Sequence, residues 1–205
     1  MARRWAVIAA AAICLCAPTV AHANGDPASD YLLTQKAFLP FTTKLDQSAV
    51  KRLNTLLTDA DKEGFRIRVA VILSPSDLGT AFSLFGKQQK YAQFLGLELA
   101  FVYRDRLLVV MPTGYGYAVK GDPRPQADAV LKKLPAPGRD PTKEVEGAIV
   151  AVQRLAAASG HKLVAPKSGD GSAARDRLVI AAAATAGIAA VAGLVLYRRR
   201  NGGEG

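Results

Sequence analysis

The sequence predicts a small α/β domain, a mixed β-sheet with helices on both faces, followed by one C-terminal transmembrane helix. Three observations predict it. Helical stripes and strand-like alternation interleave between residues 45 and 160. Two runs inside that stretch are apolar at every position, as in strands covered on both faces. Leu178–Tyr197 is then a 20-residue segment without a charge.

The first helix starts at Leu45-Asp46-Gln47-Ser48-Ala49-Val50, where Asp46 can cap and Leu45 can pack on Val50. Val50, Leu53, Leu57 and Ala60 continue at helical spacing, and Gly64 is the stop. Ile67, Val69, Val71 and Leu73 alternate with their neighbours as a strand. After the Ser74–Asp77 loop, a second helix is expected from Ala81 to Leu95, capped by Thr80, with Gly86 as a weak point. Leu99–Tyr103 and Leu107–Met111 then read as an antiparallel hairpin turning at Arg104-Asp105-Arg106. Gly114-Tyr115-Gly116-Tyr117 follows as a loop, and a helix is expected near Pro125 to Leu134. Asp140-Pro141 opens the last helix, aspartate as cap and proline at its first position, and Gly160 ends it. The order is α-β-α-β-β-α-α.

The two ends set the address. Residues 1–23 have a charged start at Arg3 and Arg4, an apolar run from Trp5 to Cys16, and the small-x-small site Ala21-His22-Ala23. These are the parts of a cleavable secretory signal. The domain is expected over residues 24–161 and a flexible linker over 162–177, which holds Pro166, Gly169 and Gly171. Residues 178–197 form the single-pass transmembrane helix. The tail 198–205 begins with Arg198-Arg199-Arg200, which marks the cytoplasmic side. The domain then sits on the periplasmic or extracytoplasmic side of the cell membrane. Ala189 and Gly193 offer small residues for helix pairing, and oligomeric state stays open.

Both cysteines, Cys14 and Cys16, lie in the signal, so thiol chemistry and disulfides are excluded from the exported part. One histidine remains there, His161 at the linker, which leaves little room for histidine acid–base chemistry. The exported part holds 22 Lys+Arg against 16 Asp+Glu. That excess suits anionic lipid or cell-wall polymer. The basic residues are scattered and the compartment is wrong for nucleic acid.

The landmarks Val69-Ala70-Val71, Asp77-Leu78-Gly79, Tyr91, two apolar strands and Gly114-Tyr115-Gly116 are those of a known pattern. From Asp30 to about Gly160 the chain resembles the TPM domain family. The shared plan of signal peptide, domain and membrane helix agrees. The resemblance implies one of two activities: weak acid phosphatase or metal binding, or assistance in membrane-protein assembly and repair. Leu95-Gly96-Leu97-Glu98 stands where family members commonly carry Asp-x-Gly.

Four groups of residues carry the site expectations. Gly114-Tyr115-Gly116 could present backbone N–H groups to an anion, or be a tight loop needing positive φ. Tyr115 and Tyr117 could line a cleft or pack on the sheet. Asp77, Asp105 and Asp122 could hold Ca²⁺ or Mg²⁺ through oxygen ligands, or be solvated. Arg104 and Arg106 could bind a phosphate, or sit at a solvated hairpin tip. The leading function is non-catalytic: a tethered interaction domain for an envelope protein partner, active in assembly or quality control. The alternatives are a metal-assisted phosphatase and a binder of anionic envelope polymer.

Overall fold

The structure is a computed structural model that describes residues 25–166. The expected signal, most of the expected linker, the expected transmembrane helix and the expected basic tail lie outside the described residues. No helix among the described residues is long and apolar enough to cross a membrane.

The elements run α1 (Pro27–Leu32), β1 (Ala37–Phe38), α2 (Gln47–Lys62) and β2 (Ile67–Val71), then a 3₁₀ segment (Pro75–Leu84). They continue with α3 (Gln88–Glu98), a 3₁₀ turn (Leu99–Phe101), β3 (Arg106–Met111), β4 (Gly114–Val119), β5 (Asp122–Pro123), α4 (Pro125–Leu131) and α5 (Pro141–Ala158). The five strands form one sheet in chain order. β1, β2 and β3 are parallel, while β4 and β5 turn back antiparallel.

Alternation along the strands divides the interior in two. Val69, Val71, Leu108, Val110 and Tyr117 face α2, α4 and α5. Ala70, Leu107, Val109, Met111 and Ala118 face α1, α3 and the 3₁₀ segment. The expected architecture, a mixed sheet with helices on both faces, therefore holds. The caps hold as well. The Asp46 carboxylate accepts from the Ser48 N–H at 2.9 Å and the Asp140 carboxylate from the Lys143 N–H at 2.9 Å. Leu45 and Val50 enter the same core.

The hairpin is displaced from its expected place. Leu99–Tyr103 is no strand: it prolongs α3 as a 3₁₀ turn, and the strands that pair are β3 and β4. Leu99 alone of that run is fully buried, whereas Phe101 is 93 % and Val102 64 % exposed. The run was apolar without being covered. Pro112-Thr113 makes the turn between the paired residues Met111 and Gly114.

The second helix is displaced too. It begins at Gln88, and Thr80 does not cap it. The chain from Pro75 folds as 3₁₀ turns, and Gly86 breaks it from α3 with a φ of +77°. The short α1 and β1 carry too few residues for a periodic signal. α4 stops at Leu131, three residues before the expected end.

Candidate functional site

The register defines two ends of the sheet. At the base, β2 and β3 begin and β4 ends. At the top, β2 and β3 end and the Pro112-Thr113 turn lies. A cleft of about 390 Å³ opens at the base, lined by Arg106, Tyr117, Val119, Arg124, Gln126 and Leu155. Each comes from a different requirement of the fold. Arg106 opens β3 opposite Val119 at the close of β4. Tyr117 alternates onto the α5 face. Arg124 precedes Pro125, whose fixed φ starts α4. Leu155 lies in the last turn of α5, near the end of its buried stripe.

The charges there are unbalanced. Asp105 borders the cleft, but its carboxylate meets Arg66 at 3.1 Å. Arg106 and Arg124 have no ion-pair partner among the described residues. The Arg106 guanidinium lies 4.3 Å over the Phe65 ring, which holds it without neutralising it. Burial pushes the Tyr117 phenol up to about 12, against the opposing fields of Arg106 and Arg124. It stays protonated at neutral pH. Two guanidiniums beside a phenol, with Val119 and Leu155 as apolar walls, suit an anionic group on an apolar stem.

The glycine-tyrosine segment is strand, not loop. Tyr115 pairs with Val110 and Gly116 with Val109, so the segment belongs to the ladder and makes no anion cradle. Gly116 is needed for close approach: a Cβ there would stand 2.1 Å from the Gln88 carbonyl oxygen. The next helical residue, Gln89, accepts from the Tyr117 N–H at 2.9 Å and donates to its carbonyl at 2.8 Å. Tyr115 donates to the Pro135 carbonyl at 3.2 Å at the top, so the two tyrosines do not share a cleft.

The three aspartates do not converge. Asp105 and Asp122 flank the base, while Asp77 follows β2 at the top. The six residues of β3 separate the ends by about 17–20 Å, far beyond what oxygen ligands at about 2.4 Å can bridge. Among the described residues, no group of three His, Cys, Asp or Glu side chains comes together. Asp77 is a closure: one carboxylate oxygen accepts from the Leu73 N–H at 2.9 Å, the Ser74 N–H at 2.8 Å and the Ser74 hydroxyl at 3.0 Å. Arg104 does not enter the cleft lining; its Nε donates to the Ala100 carbonyl at 2.8 Å.

Two residues escaped the sequence reading. Arg124 required the true hairpin register, which puts the foot of β4 beside the start of α4. Glu144 is wholly buried on α5, and neither carboxyl oxygen has a hydrogen-bond partner among the described residues. Burial first, and Asp77 second, push it up to about 8. The signal was present: Glu144, Ala148, Ala151 and Leu155 share one helical stripe.

Comparison with protein-family models, curated proteins and solved structures returns no match for this chain.

Proposed function

We propose that the chain is a membrane-tethered, extracytoplasmic domain of TPM type that binds an anionic segment of an envelope protein partner and assists its assembly or quality control. The observation that carries this reading is the basal cleft, where Arg106 and Arg124 keep unneutralised charge beside Tyr117 and apolar walls. Such a site binds and orients an acidic group; it offers no paired carboxylates for general acid–base work. The alternative, a metal-assisted phosphatase using Asp77, Asp105 or Asp122, is less favoured because the length of the sheet parts Asp77 from the other two and Asp105 is paired with Arg66. Binding to anionic polymer would spread over the surface, whereas the cleft concentrates two arginines at one point.

The test is co-isolation from detergent-solubilised native membranes. Wild-type chain should retain a discrete membrane protein, and the Arg106→Ala/Arg124→Ala variant should retain at least tenfold less. Capture should weaken as salt is raised across the range where screening shortens to about 3 Å. Equal capture by both forms would refute the cleft as the binding site.

A further inference from the structure

The base of the domain carries a second feature beyond the cleft. Leu97, Phe101 and Val102 are 61 %, 93 % and 64 % exposed, a group of large apolar side chains left bare within six residues of chain. Leu97 and Phe101 are four apart where α3 runs into its 3₁₀ turn, so they share one side of it. Leu97 also lies against the β4–β5 turn: a Cβ on Gly121 would stand 2.6 Å from its side chain. That turn holds Lys120. Arg104 folds back onto the same 3₁₀ turn through its bond to Ala100. Within residues 97–104, Glu98 is the one carboxylate. Around this protrusion the base presents Arg104, Arg106, Lys120 and Arg124 with Glu98 and Asp122, while farther along the same end the charges are paired, Arg66 with Asp105, Lys36 with Asp61 and Lys62 with Asp59, beside Arg68 and Glu63.

We infer that this end of the domain rests on the bilayer surface, with Leu97, Phe101 and Val102 entering the headgroup layer and Arg104 and Lys120 meeting anionic headgroups. An apolar protrusion ringed by cations is the chemistry of an anionic membrane interface. The inference rests on the proposed anchor. The 11 residues between Pro166 and Leu178 span at most about 40 Å, so the tether can bring the base to the bilayer. Resting there, the domain turns the open end of its cleft toward membrane-proximal segments of neighbouring proteins.

The experiment uses the processed chain, residues 24–205, which holds no tryptophan once Trp5 has left with the signal. Phe101→Trp then places one indole at the base. Phe82→Trp places one at the top, where Phe82 is 63 % exposed. Each chain is reconstituted into phosphatidylglycerol-containing vesicles whose acyl chains carry bromine. The indole from Phe101→Trp should lose most of its emission relative to unbrominated vesicles, and that from Phe82→Trp should keep it. Adding Arg104→Glu and Lys120→Glu to the Phe101→Trp chain should abolish the quenching, as should phosphatidylcholine in place of phosphatidylglycerol. No quenching at position 101 in a chain that floats with the vesicles would overturn this inference alone. Equal quenching at 82 and 101 would overturn the assignment of the face. Crosslinks between copies through position 101 without quenching would give the face to a second copy instead. A chain that fails to float would overturn the anchor and this inference together.

Discussion

Replacing Glu144 by glutamine should flatten the pH dependence of stability between pH 6 and 8. Glu144 is fully buried without a hydrogen-bond partner among the described residues, and its acid is pushed up from 4.5 to about 8. Its sign follows from proton counting. Below pH 4.5 the carboxyl is protonated whether the chain is folded or not, and stability is unaffected. As pH rises toward 8, the unfolded chain releases the proton while the folded chain keeps it, so unfolding is favoured. Full separation costs about 1.4 kcal/mol per pH unit, which gives a loss of about 2 kcal/mol between pH 6 and 8. The assay is urea unfolding of residues 24–166 at pH 6, 7 and 8, a range that holds both cores. Wild type should lose about 2 kcal/mol across the window, and Glu144→Gln should change by less than about 0.5 kcal/mol. The slope is the readout, because a buried amide without partners has its own cost of about 1–3 kcal/mol at every pH. A Glu144→Gln variant with the wild-type slope would refute the assignment of a buried, protonated Glu144.

Three further outcomes follow from the geometry. Asp26, buried and accepting from the Tyr91 hydroxyl at 2.8 Å, is raised to about 6, chiefly by burial and against that hydrogen bond. Its folded form keeps a proton that the unfolded chain loses, so Asp26→Asn should remove about 2 kcal/mol of the stability loss between pH 4 and 6 in the same assay. Gly116→Ala drives a methyl into the Gln88 backbone and should destabilise by about 1–3 kcal/mol or prevent folding, read as the urea midpoint. Asp77→Ala leaves the Leu73 and Ser74 amides without their acceptor and should cost about 1–3 kcal/mol, while leaving partner capture by the folded fraction unchanged.

What the sequence disclosed tracks the length over which a signal repeats. α2 and α5 span four turns or more with caps at Asp46 and Asp140, and both stood where the caps put them. β2 was clear because Ile67, Val69 and Val71 alternate beside polar Arg66 and Arg68. The hairpin failed because Leu99–Tyr103 and Leu107–Met111 are alike in composition. Only tertiary contact decides that Leu107–Met111 is covered and Phe101 bare. That error moved the glycine-tyrosine segment from strand to loop and hid the cleft, whose Tyr117 and Arg106 were named without the geometry that joins them. Gly116 was singled out for a loop; the fold uses it to let α3 press on β4. Asp77 was singled out as a ligand, yet a short carboxylate three residues after a serine also closes a turn, and here it does.

The most direct test of the proposed function is site-specific photocrosslinking in the native envelope. A photoreactive side chain at Gln126, in the cleft wall, should crosslink one membrane protein, and the Arg106→Ala/Arg124→Ala background should lose that product. The same group at Asn54, on the outer face of α2, should give none. Crosslinking of the same protein from Asn54, or from Gln126 regardless of the two arginines, would contradict the account.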